Sequence, residues 1–523
     1  MDTKDNIGMH LIEKGRKGAS SAIFSRLGLF IILILLQISC FIGIFKWFGD
    51  FLPHIYSITI AATIFIALYL LDTDIDPTAK ITWLITISCL PVFGAFLFIY
   101  TQTNLGHRTL KKRINNITSL SKNYLTQDPE IFQELKEDNY QIASLTKYVN
   151  KTGCYPIYKN SQVTYFPLGE DKFKELLIQL EKAEKFIFLE YFIINEGIMW
   201  GQILEILARK AKEGLDIRIM YDGTCEFSAL PHNYPKKLQA LGIQCKSFAP
   251  LTPFVSTHYN YRDHRKILII DGHTAFNGGI NLADEYINEK KRFGHWKDTA
   301  VMVQGEAVQS FTLMFLQLWN ITDTNTQYKK YLTTPTEKFP EEGFVMPFAD
   351  CPLDEYKVGE QVYIDLLNRA KSYIHIMTPY LILDGELENA LKYASERGVD
   401  VKIILPGIPD KKVPYALAYT HYQALLKAGI KIYEYTPGFV HAKSFVVDNI
   451  EGVVGTINLD YRSLYHHFEC ATYMYNLPAI LHMEKDYQDT LKKCHQVTLE
   501  NMKEQKFSRK IRGFLLKPIA PLL

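Results

Sequence analysis

The stretches "DHRKILIID" (263–271) and "VHAKSFVVD" (440–448) decide the fold, because they are two copies of one pattern. Each has a His, any residue, a Lys, four mostly apolar residues and an Asp. Both copies continue after six residues into "GGIN" and "GTIN". Agreement at five residue types in two places indicates a duplicated domain. The paired residues are His264, Lys266, Asp271, Gly278 and Asn281 in the first copy, and His441, Lys443, Asp448, Gly455 and Asn458 in the second.

The segments around each copy alternate between strand-like and helical patterns. The first half has "KFIFLEYFII" (185–194), "GQILEILARKAKEG" (201–214) and "LDIRIMYDG" (215–223), and the second has "SYIHIMTPYLIL" (372–383), "ELENALKYASERG" (386–398) and "VDVKIILPG" (399–407). This alternation predicts a duplicated α/β fold of two mainly parallel or mixed sheets flanked by helices. The predicted division is a membrane domain at 1–105, a juxtamembrane segment with the first half at 106–335, and the second half with a basic tail at 336–523.

Apolar runs fill the first hundred residues. The runs at 27–48, 54–71 and 81–100 have about the length that a membrane helix needs. Basic residues precede the first run and follow the last, so the positive-inside rule predicts that both flanks and the catalytic body are cytoplasmic. That rule requires an even number of crossings. One run is therefore interfacial or re-entrant, or the charge rule fails here, and the number of crossings stays open.

The overall charge argues against a nucleic-acid-binding protein. The chain is 47% hydrophobic and 22% charged, with a formal net charge of only +2. A protein that binds nucleic acid electrostatically usually carries a larger basic excess. The sequence therefore directs attention to the paired motifs as the site of chemistry.

The motif residues suit the transfer of a phosphoryl group. Residues i and i+2 of a strand share a face, so each motif points an imidazole and an ammonium into one space. Two lysines, two asparagine amides and glycines that permit close approach form a pocket for an anion such as phosphate. A neutral His can attack phosphorus while a charged His donates a proton. This chemistry needs neither a metal nor a cofactor, and we predict none.

Asp271 and Asp448 complete the motifs and are included with the catalytic set. Each lies an odd number of residues beyond its lysine, however, so a continuous strand turns it away from the pocket. We therefore predict that these two aspartates anchor the loops that follow the strands.

Both motifs resemble those of the phospholipase D superfamily. The resemblance implies that the two histidines meet at one site between the halves and that the reaction passes through a phosphohistidine. It implies His264 as the nucleophile and His441 as the acid and base, although the sequence leaves this order open. It also implies a carboxylate that orients each His, for which Asp298 in "GHWKDTAVMV" and Glu469 in "HHFECATYMY" are the candidates.

Within that superfamily the chain resembles the bacterial cardiolipin synthases. The resemblance lies in "YNYRDHRKILIIDGHTAFNGGINLADEY" (259–286), "RFGHWKDTAVMVQGEAV" (292–308) and "DPTAKITWLITISCLPVFGAFLFIY" (76–100). It implies a multi-pass protein of the cell membrane that joins two phosphatidylglycerol molecules into cardiolipin and releases glycerol. The implied partners are phosphatidylglycerol and anionic membrane lipid, and the oligomeric state is left open.

Three other functions are weighed against this one. A phosphatidylserine synthase or a hydrolytic phospholipase D would keep both motifs and change only the acceptor. An inactive membrane scaffold is disfavoured because His, Lys and Asn are intact in both halves.

The C-terminal segment "KEQKFSRKIRGFLLKPIAPLL" (503–523) is either an interfacial segment on anionic lipid or a frayed basic tail.

Overall fold

The computed structural model describes residues 52–73, 77–89, 105–231, 233–250, 261–323, 327–332, 342–505 and 507–522, with positions 35, 39, 75, 94, 95, 98, 99 and 339. The predicted membrane run 27–48 lies outside the described residues, apart from Leu35 and Ser39. The predicted boundary at 335/336 also lies outside them.

The first half is built on a seven-stranded sheet. Its strands are β1 Ser161–Phe166, β2 Phe186–Tyr191, β3 Asp216–Asp222, β4 Gln244–Phe248, β6 Lys266–Ile270, β7 Thr274–Gly278 and β9 Ala300–Gly305, in the order β1-β9-β7-β6-β2-β3-β4. Two short strands, β5 Arg262–Asp263 and β8 His295–Lys297, stand apart from this sheet. The motif strand β6, "KILII", is buried along its whole length, and it lies inside the sheet between β2 and β7.

The second half repeats this strand order. Its strands are β10 Phe344–Asp350, β11 Tyr373–Met377, β12 Leu381–Ile382, β13 Asp400–Pro406, β14 Lys431–Tyr435, β15 Gly438–Val440, β16 Ser444–Val447, β17 Glu451–Gly455, β18 Leu459–Asp460, β19 His467–Tyr475 and β20 Cys494–Val497. The main path runs β10-β19-β17-β16-β11-β13-β14-β20, which matches the first sheet strand for strand and adds β20. The predicted duplication is confirmed.

Each sheet is mixed rather than largely parallel. Along the main path of each large sheet, parallel pairing is confined to β2-β3-β4 and β11-β13-β14. The motif strands β6 and β16 instead form hairpins with β7 and β17. The mainly parallel alternative was wrong. Strands that alternate with helices form only the parallel part of each sheet, and the motif strands on the other side pair in antiparallel hairpins.

Helices cover the sheets and extend toward both ends of the chain. Those before and within the first half are α1 Leu52–Asp72, α2 Pro77–Cys89, α3 Leu105–Ser121, α4 Pro129–Asp138, α5 Tyr140–Gly153, α6 Gly169–Glu181, α7 Ile198–Lys212, α8 Thr224–Ser228, α9 Tyr234–Gln239, α10 Val308–Trp319 and α11 Tyr328–Tyr331. Those of the second half are α12 Val358–Arg369, α13 Gly385–Glu396, α14 Lys412–Lys427, α15 Tyr461–His466, α16 Pro478–Leu491, α17 Leu499–Lys503 and α18 Phe507–Leu516. Short 3₁₀ segments are Asp284–Ile287, Asn320–Thr322 and Lys517–Leu522.

The predicted run 54–71 falls within α1, and the run 81–100 begins in α2. Among the residues that the structure describes, none of the helices combines the length and the apolar character needed to cross a bilayer.

The two halves exchange short strands, and this exchange positions the site. Strand β5, just before the first motif, pairs in parallel with β19 of the second half. Strand β15, just before the second motif, pairs in parallel with β8 of the first half. Each motif histidine therefore directly follows a short strand that pairs with a strand of the other half.

Candidate active site

Each motif histidine takes its carboxylate from the other half of the chain. Nδ1 of His264 lies 2.9 Å from Oε1 and 3.0 Å from Oε2 of Glu469. Nδ1 of His441 lies 2.7 Å from Oδ2 of Asp298. Both carboxylates are fully buried. A carboxylate on Nδ1 holds the proton there and leaves Nε2 as the nitrogen available for chemistry.

The exchanged strands produce this crossing. The backbone N–H of His264 donates to the carbonyl of Phe468 at 3.0 Å, one residue before Glu469. The backbone N–H of His441 donates to the carbonyl of Lys297 at 2.7 Å, one residue before Asp298. The two contacts are equivalent, so the site has an approximate twofold relation between the halves.

The motif lysines lie beside their own histidines. Lys266 Nζ donates to the His264 carbonyl at 2.5 Å and lies over the Phe192 ring at 5.5 Å. Lys443 Nζ donates to the His441 carbonyl and lies 2.9 Å from His441 Nδ1. Both lysines are almost wholly buried. The site therefore concentrates positive charge where a phosphate can bind.

Burial and the neighbouring charges set the protonation of the four motif side chains. Burial, followed by the charges of Lys266 and Lys443, holds the pKa of His264 well below its usual value. Burial and Lys443 lower the pKa of His441 to about 4. Burial also lowers the pKa of Lys266 to about 8 and that of Lys443 to about 7. Both histidines are therefore neutral at pH 7.

The two carboxylates have different surroundings. Glu469 accepts hydrogen bonds from the hydroxyls of Thr456 and Ser463 in addition to its contact with His264. Asp298 accepts the backbone N–H of Thr299 at 2.8 Å. Burial alone would raise the pKa of Asp298, but the contact with His441 and the charge of Lys443 outweigh it and lower that pKa.

Asp271 and Asp448 lie away from the histidines and bind backbone. Asp271 accepts the N–H groups of residues 184, 185 and 186 at 2.7, 2.7 and 2.8 Å. Asp448 accepts those of residues 371, 372 and 373 at 2.7, 2.9 and 2.8 Å. Each aspartate has a positive φ, 54° and 52°. They tie the turn after each motif strand to the start of β2 or β11.

The motif glycines allow two strands to meet. A Cβ on Gly278 would lie 2.4 Å from the Thr299 carbonyl oxygen, and one on Gly455 would lie 2.5 Å from that of Cys470. The next position differs between the halves. A Cβ on Gly279 would lie 2.1 Å from Asp298 Oδ1, whereas its counterpart Thr456 hydrogen-bonds Glu469.

The two motif asparagines are not used alike. Asn281 accepts the backbone N–H of Ile193 at 3.0 Å and donates to the Tyr286 hydroxyl at 2.8 Å. Oδ1 of Asn458 is buried and makes no hydrogen bond to the residues that the structure describes. The side-chain amide of Asn281 is therefore hydrogen-bonded to protein groups, whereas Oδ1 of Asn458 has no protein partner among the described residues.

Several residues at the site were not singled out from the sequence. His467 lies with its ring 5.1 Å from that of His264, and the ring of Trp296 lies 5.4 Å from that of His441. Lys411, exposed before α14, is close enough for its charge to lower the pKa of His264. His467 and Trp296 each precede an orienting carboxylate by two residues, and strand alternation could have identified both.

The site contains a group of potential metal ligands. His264, His467 and Glu469 each offer an atom within 4.8 Å of the others. Glu469 lies 2.9 Å from His264 Nδ1, a distance at which the two side chains hydrogen-bond each other directly. The two buried lysines also oppose a cation here.

Comparison with known proteins identifies the family. The family model described as "Cardiolipin synthase, PLD-like domain" matches residues 176–319 and 363–491, one segment in each half. The chain belongs to the phospholipase D-like cardiolipin synthases. A cardiolipin synthase from Alkalihalophilus pseudofirmus is 32% identical over 91% of this chain and 95% of that protein. As a cardiolipin synthase, the chain is a phosphatidyltransferase of phospholipid biosynthesis.

This cardiolipin synthase is also similar to a second protein in sequence and to a solved structure in fold. An uncharacterized protein from Streptococcus mutans serotype c is 56% identical over 87% of this chain and 99% of its own length. The crystal structure of phosphatidylserine synthase from Haemophilus influenzae Rd KW20 matches with a TM-score of 0.55 and 16% identity, covering 73% of this chain and 98% of that one. At that identity the structural likeness supports the duplicated fold alone.

Proposed function

We propose that this cardiolipin synthase exchanges one phosphodiester for another through a phosphohistidine on His264. Nε2 of His264 attacks the phosphorus of one phosphatidylglycerol, and the glycerol oxygen leaves with a proton from His441. The headgroup hydroxyl of a second phosphatidylglycerol then gives its proton to His441 and attacks the same phosphorus. The products are cardiolipin and glycerol, and His264 is regenerated. The observation that carries this proposal is the crossed pair of buried histidine–carboxylate contacts.

The protonation of the histidines is compatible with this assignment. The pKa of His264 is held well below its usual value by burial and by the motif lysines, which favours a neutral nucleophile. The pKa of His441 is lowered to about 4, by burial first and Lys443 second. A bound phosphate adds negative charge beside His441 and raises that pKa, so this histidine can carry the proton that the leaving oxygen takes.

We further propose that Lys266 and Lys443 bind the phosphate oxygens, with Asn458 as a polar support. Both ammonium groups are buried beside the histidines, where fixed charge stabilises a developing oxyanion more than it would in water. Asn281 serves the site indirectly by holding Tyr286, whose ring lies 5.4 Å from that of His441. Gly278, Gly455, Asp271 and Asp448 then shape the backbone around these groups.

A lipid assay tests the reaction. Purified full-length protein is mixed with phosphatidylglycerol vesicles, without nucleotide or added metal, and the lipids and glycerol are quantified by mass spectrometry. Cardiolipin and glycerol are expected in equal amounts, with and without EDTA. Phosphatidic acid as the sole product would make water the acceptor, and loss of activity in EDTA would contradict a metal-free reaction. Phosphatidylserine formed in preference to cardiolipin when serine is added would favour the alternative transferase.

We also propose that the chain is a multi-pass membrane protein, divided at about residues 105 and 335, with its catalytic body on the cytoplasmic side. Exposed apolar side chains on α1 and α2 support the membrane contact: Ile60, Ile64, Phe65, Leu68, Leu71, Ile81 and Ile85. The C-terminal segment lies against this region, since Thr82 of α2 donates a hydrogen bond to the Pro518 carbonyl.

Helix α18 fits an anionic membrane surface. Its Phe507, Ile511 and Phe514 follow a helical spacing and are exposed, the two phenylalanines by 76% and 77%. Its opposite side packs on α14, where Arg509 lies over the rings of Tyr415 and Tyr419 at 5.0 and 4.6 Å. Exposed Lys510 and Arg512 flank the apolar stripe. An amphipathic basic helix of this kind binds anionic lipid at the interface.

Activity measured on vesicles and on detergent-dispersed lipid tests this contact. The change Phe507→Ser/Phe514→Ser is expected to reduce activity on anionic vesicles several-fold and to leave activity on detergent-dispersed lipid within about twofold, because less apolar area enters the interface. Tyr140→Ser, which removes a 68% exposed ring from α5, is the matched control. Equal losses in both lipid formats would show that α18 supports the fold rather than the membrane contact.

A further inference from the structure

Two equivalent positions beside the catalytic histidines carry different aromatic residues. The carbonyls of Lys297 and Phe468 accept the backbone N–H groups of His441 and His264, so these two residues correspond. The residue before each is Trp296 in the first half and His467 in the second. Both are buried, and each packs a ring on a catalytic imidazole at 5.4 and 5.1 Å. The duplication therefore places an aromatic ring beside each histidine, and only one of these rings can titrate.

His467 is directed toward Glu469. Both lie on β19 two residues apart, so their side chains share a face of the strand. His467 Nδ1 is 3.4 Å from Glu469 Oε1, the same oxygen that lies 2.9 Å from His264 Nδ1. That nitrogen is buried and makes no hydrogen bond within the described part of the chain, so the Glu469 oxygen is an acceptor that it approaches without yet bonding. The imidazole of His467 is thus placed to share one carboxylate oxygen with His264.

Trp296 has no comparable relation to Asp298. Its indole nitrogen is buried without a hydrogen-bond partner among the described residues. Its ring lies between Tyr286 and Phe439, at 4.7 and 4.9 Å. The first half therefore supports His441 with an inert ring, whereas the second supports His264 with a polar one.

We propose that His467 is a positioning residue that draws part of the Glu469 charge away from His264 and so keeps the nucleophile neutral to lower pH. An N–H of His467 that donates to the Glu469 oxygen 3.4 Å away reduces the stabilisation that this carboxylate gives to a charged His264. Loss of that N–H strengthens the pull of Glu469 and raises the pKa of His264. The inference rests on the proposed role of His264 as the nucleophile.

Other charged groups around His264 and His467 must be held constant in the test. The pKa of His467 is lowered to about 4, first by burial, while the contact with Glu469 opposes that shift. The charged and titratable groups that act most strongly on the two rings are Glu469, Lys266, Lys443, His441, Lys411 and His466. Single substitutions at His467 leave each of them in place.

Three substitutions separate the functions of the ring and of its nitrogens. His467→Phe keeps the ring and removes both nitrogens. His467→Asn keeps an N–H donor near the position of Nδ1, and His467→Gln places one near the position of Nε2. The full-length proteins are treated with diethyl pyrocarbonate over a range of pH, and modification of His264 is quantified by mass spectrometry of the "DHRK" peptide. Melting temperature is measured in parallel, so that loss of fold is recognised.

For His467→Phe, the midpoint of His264 modification is expected to rise by about one pH unit, which is a tenfold change in proton affinity. For His467→Asn, the midpoint is expected to remain near that of the unmodified protein. An unchanged midpoint in His467→Phe would overturn the proposal. Retention of the normal midpoint by His467→Gln but not by His467→Asn would also overturn it, because the nitrogen that faces Glu469 would then not be the one that matters.

This readout is separate from catalysis. If the covalent lipid adduct forms on His441, the assignment of the nucleophile fails, yet the modification midpoint of His264 still reports whether His467 acts on it. If the adduct forms on His264 and the midpoint does not move, only the inference about His467 fails.

Discussion

The two histidine–carboxylate pairs share a backbone framework and differ in what surrounds the carboxylate. Glu469 contacts His264 through both oxygens and also receives Thr456 and Ser463. Asp298 contacts His441 through one oxygen and receives a backbone N–H on the other. Both lysines donate to the carbonyl of their own histidine, but Lys443 also approaches Nδ1 of His441 to 2.9 Å, whereas Lys266 lies over an aromatic ring.

This difference shows how a duplicated site can acquire two roles. Ping-pong transfer needs one histidine that bonds to phosphorus and another that only moves protons. Identical halves would give both imidazoles the same basicity. Changes at the positions around the carboxylates, such as Gly279 against Thr456 and Trp296 against His467, alter that basicity without moving the histidines. The following predictions test whether the two pairs are functionally unequal.

The largest effect is expected from removing either imidazole. His264→Ala should abolish both turnover and the covalent adduct, a loss of about 10⁵-fold or more, because no other nucleophile replaces it. His441→Ala should also stop turnover, but should still form the adduct from a nitrophenyl phosphodiester, whose leaving group needs no proton. Acid quenching followed by peptide mass spectrometry detects the phosphorylated imidazole.

The peptide that carries the phosphoryl label decides which histidine is the nucleophile. Label on His441 in the His264→Ala protein would reverse the two roles. Absence of label from both motif peptides of the unmodified enzyme, under conditions that trap the intermediate, would count against covalent catalysis.

The next effect concerns the carboxylates. Glu469→Gln and Asp298→Asn should each lower the turnover rate by about 10²–10⁴-fold, because an amide can stabilise the wrong tautomer of its histidine. With the nitrophenyl diester, Glu469→Gln should slow adduct formation and Asp298→Asn should mainly slow adduct breakdown. Rapid-quench kinetics separates the two steps. Equal slowing of both steps by both variants would mean that the pairs are not specialised.

A smaller effect is expected from pH. Phosphate binding requires charged lysines, and burial lowers the pKa values of Lys443 and Lys266 to about 7 and about 8. Activity at limiting substrate should therefore fall as pH rises through 7 to 8, when the ammonium groups lose their protons. Lys443→Arg keeps its charge at all these pH values, so the basic limb should move up toward pH 8.

Lys266→Arg is the matched control for this shift. In Lys266→Arg the alkaline fall in activity should stay near pH 7, because Lys443 still loses its proton there. The profile is measured as kcat/KM on detergent-dispersed lipid. If both variants keep the limb of the unmodified enzyme, another group controls the alkaline fall.

The smallest effect is expected at the two motif aspartates, and it concerns stability. Each accepts three backbone N–H groups, and charge-assisted hydrogen bonds are worth about 1.5–3 kcal/mol each in favourable cases. Asp271→Ala should lower the free energy of unfolding more than Asp448→Ala, because Asp271 is only 8% exposed and Asp448 is partly exposed. Urea denaturation measures the difference. A larger loss for Asp448→Ala would contradict this reading.

The sequence by itself determined the duplication and the members of the motifs. The matched spacing of His264 and His441 with their lysines, aspartates, glycines and asparagines predicted one α/β unit repeated twice. The alternation of residues along a strand also predicted that Asp271 and Asp448 turn away from the histidines. The order of strands and helices was a poorer guide to strand direction. The βαβ pattern describes β2-β3-β4 but not the antiparallel hairpin of β6 and β7.

Only the tertiary structure decided which carboxylate meets which histidine. Asp298 and Glu469 each follow a motif in the chain, yet each contacts the histidine of the other half. The cause is the pairing of β5 with β19 and of β15 with β8, which joins segments far apart in sequence. His467 was overlooked for the same reason, because its significance lies in its distance to a histidine of the first half. Periodicity reports which face of a strand a residue occupies, and the packing of the two halves decides what that face meets.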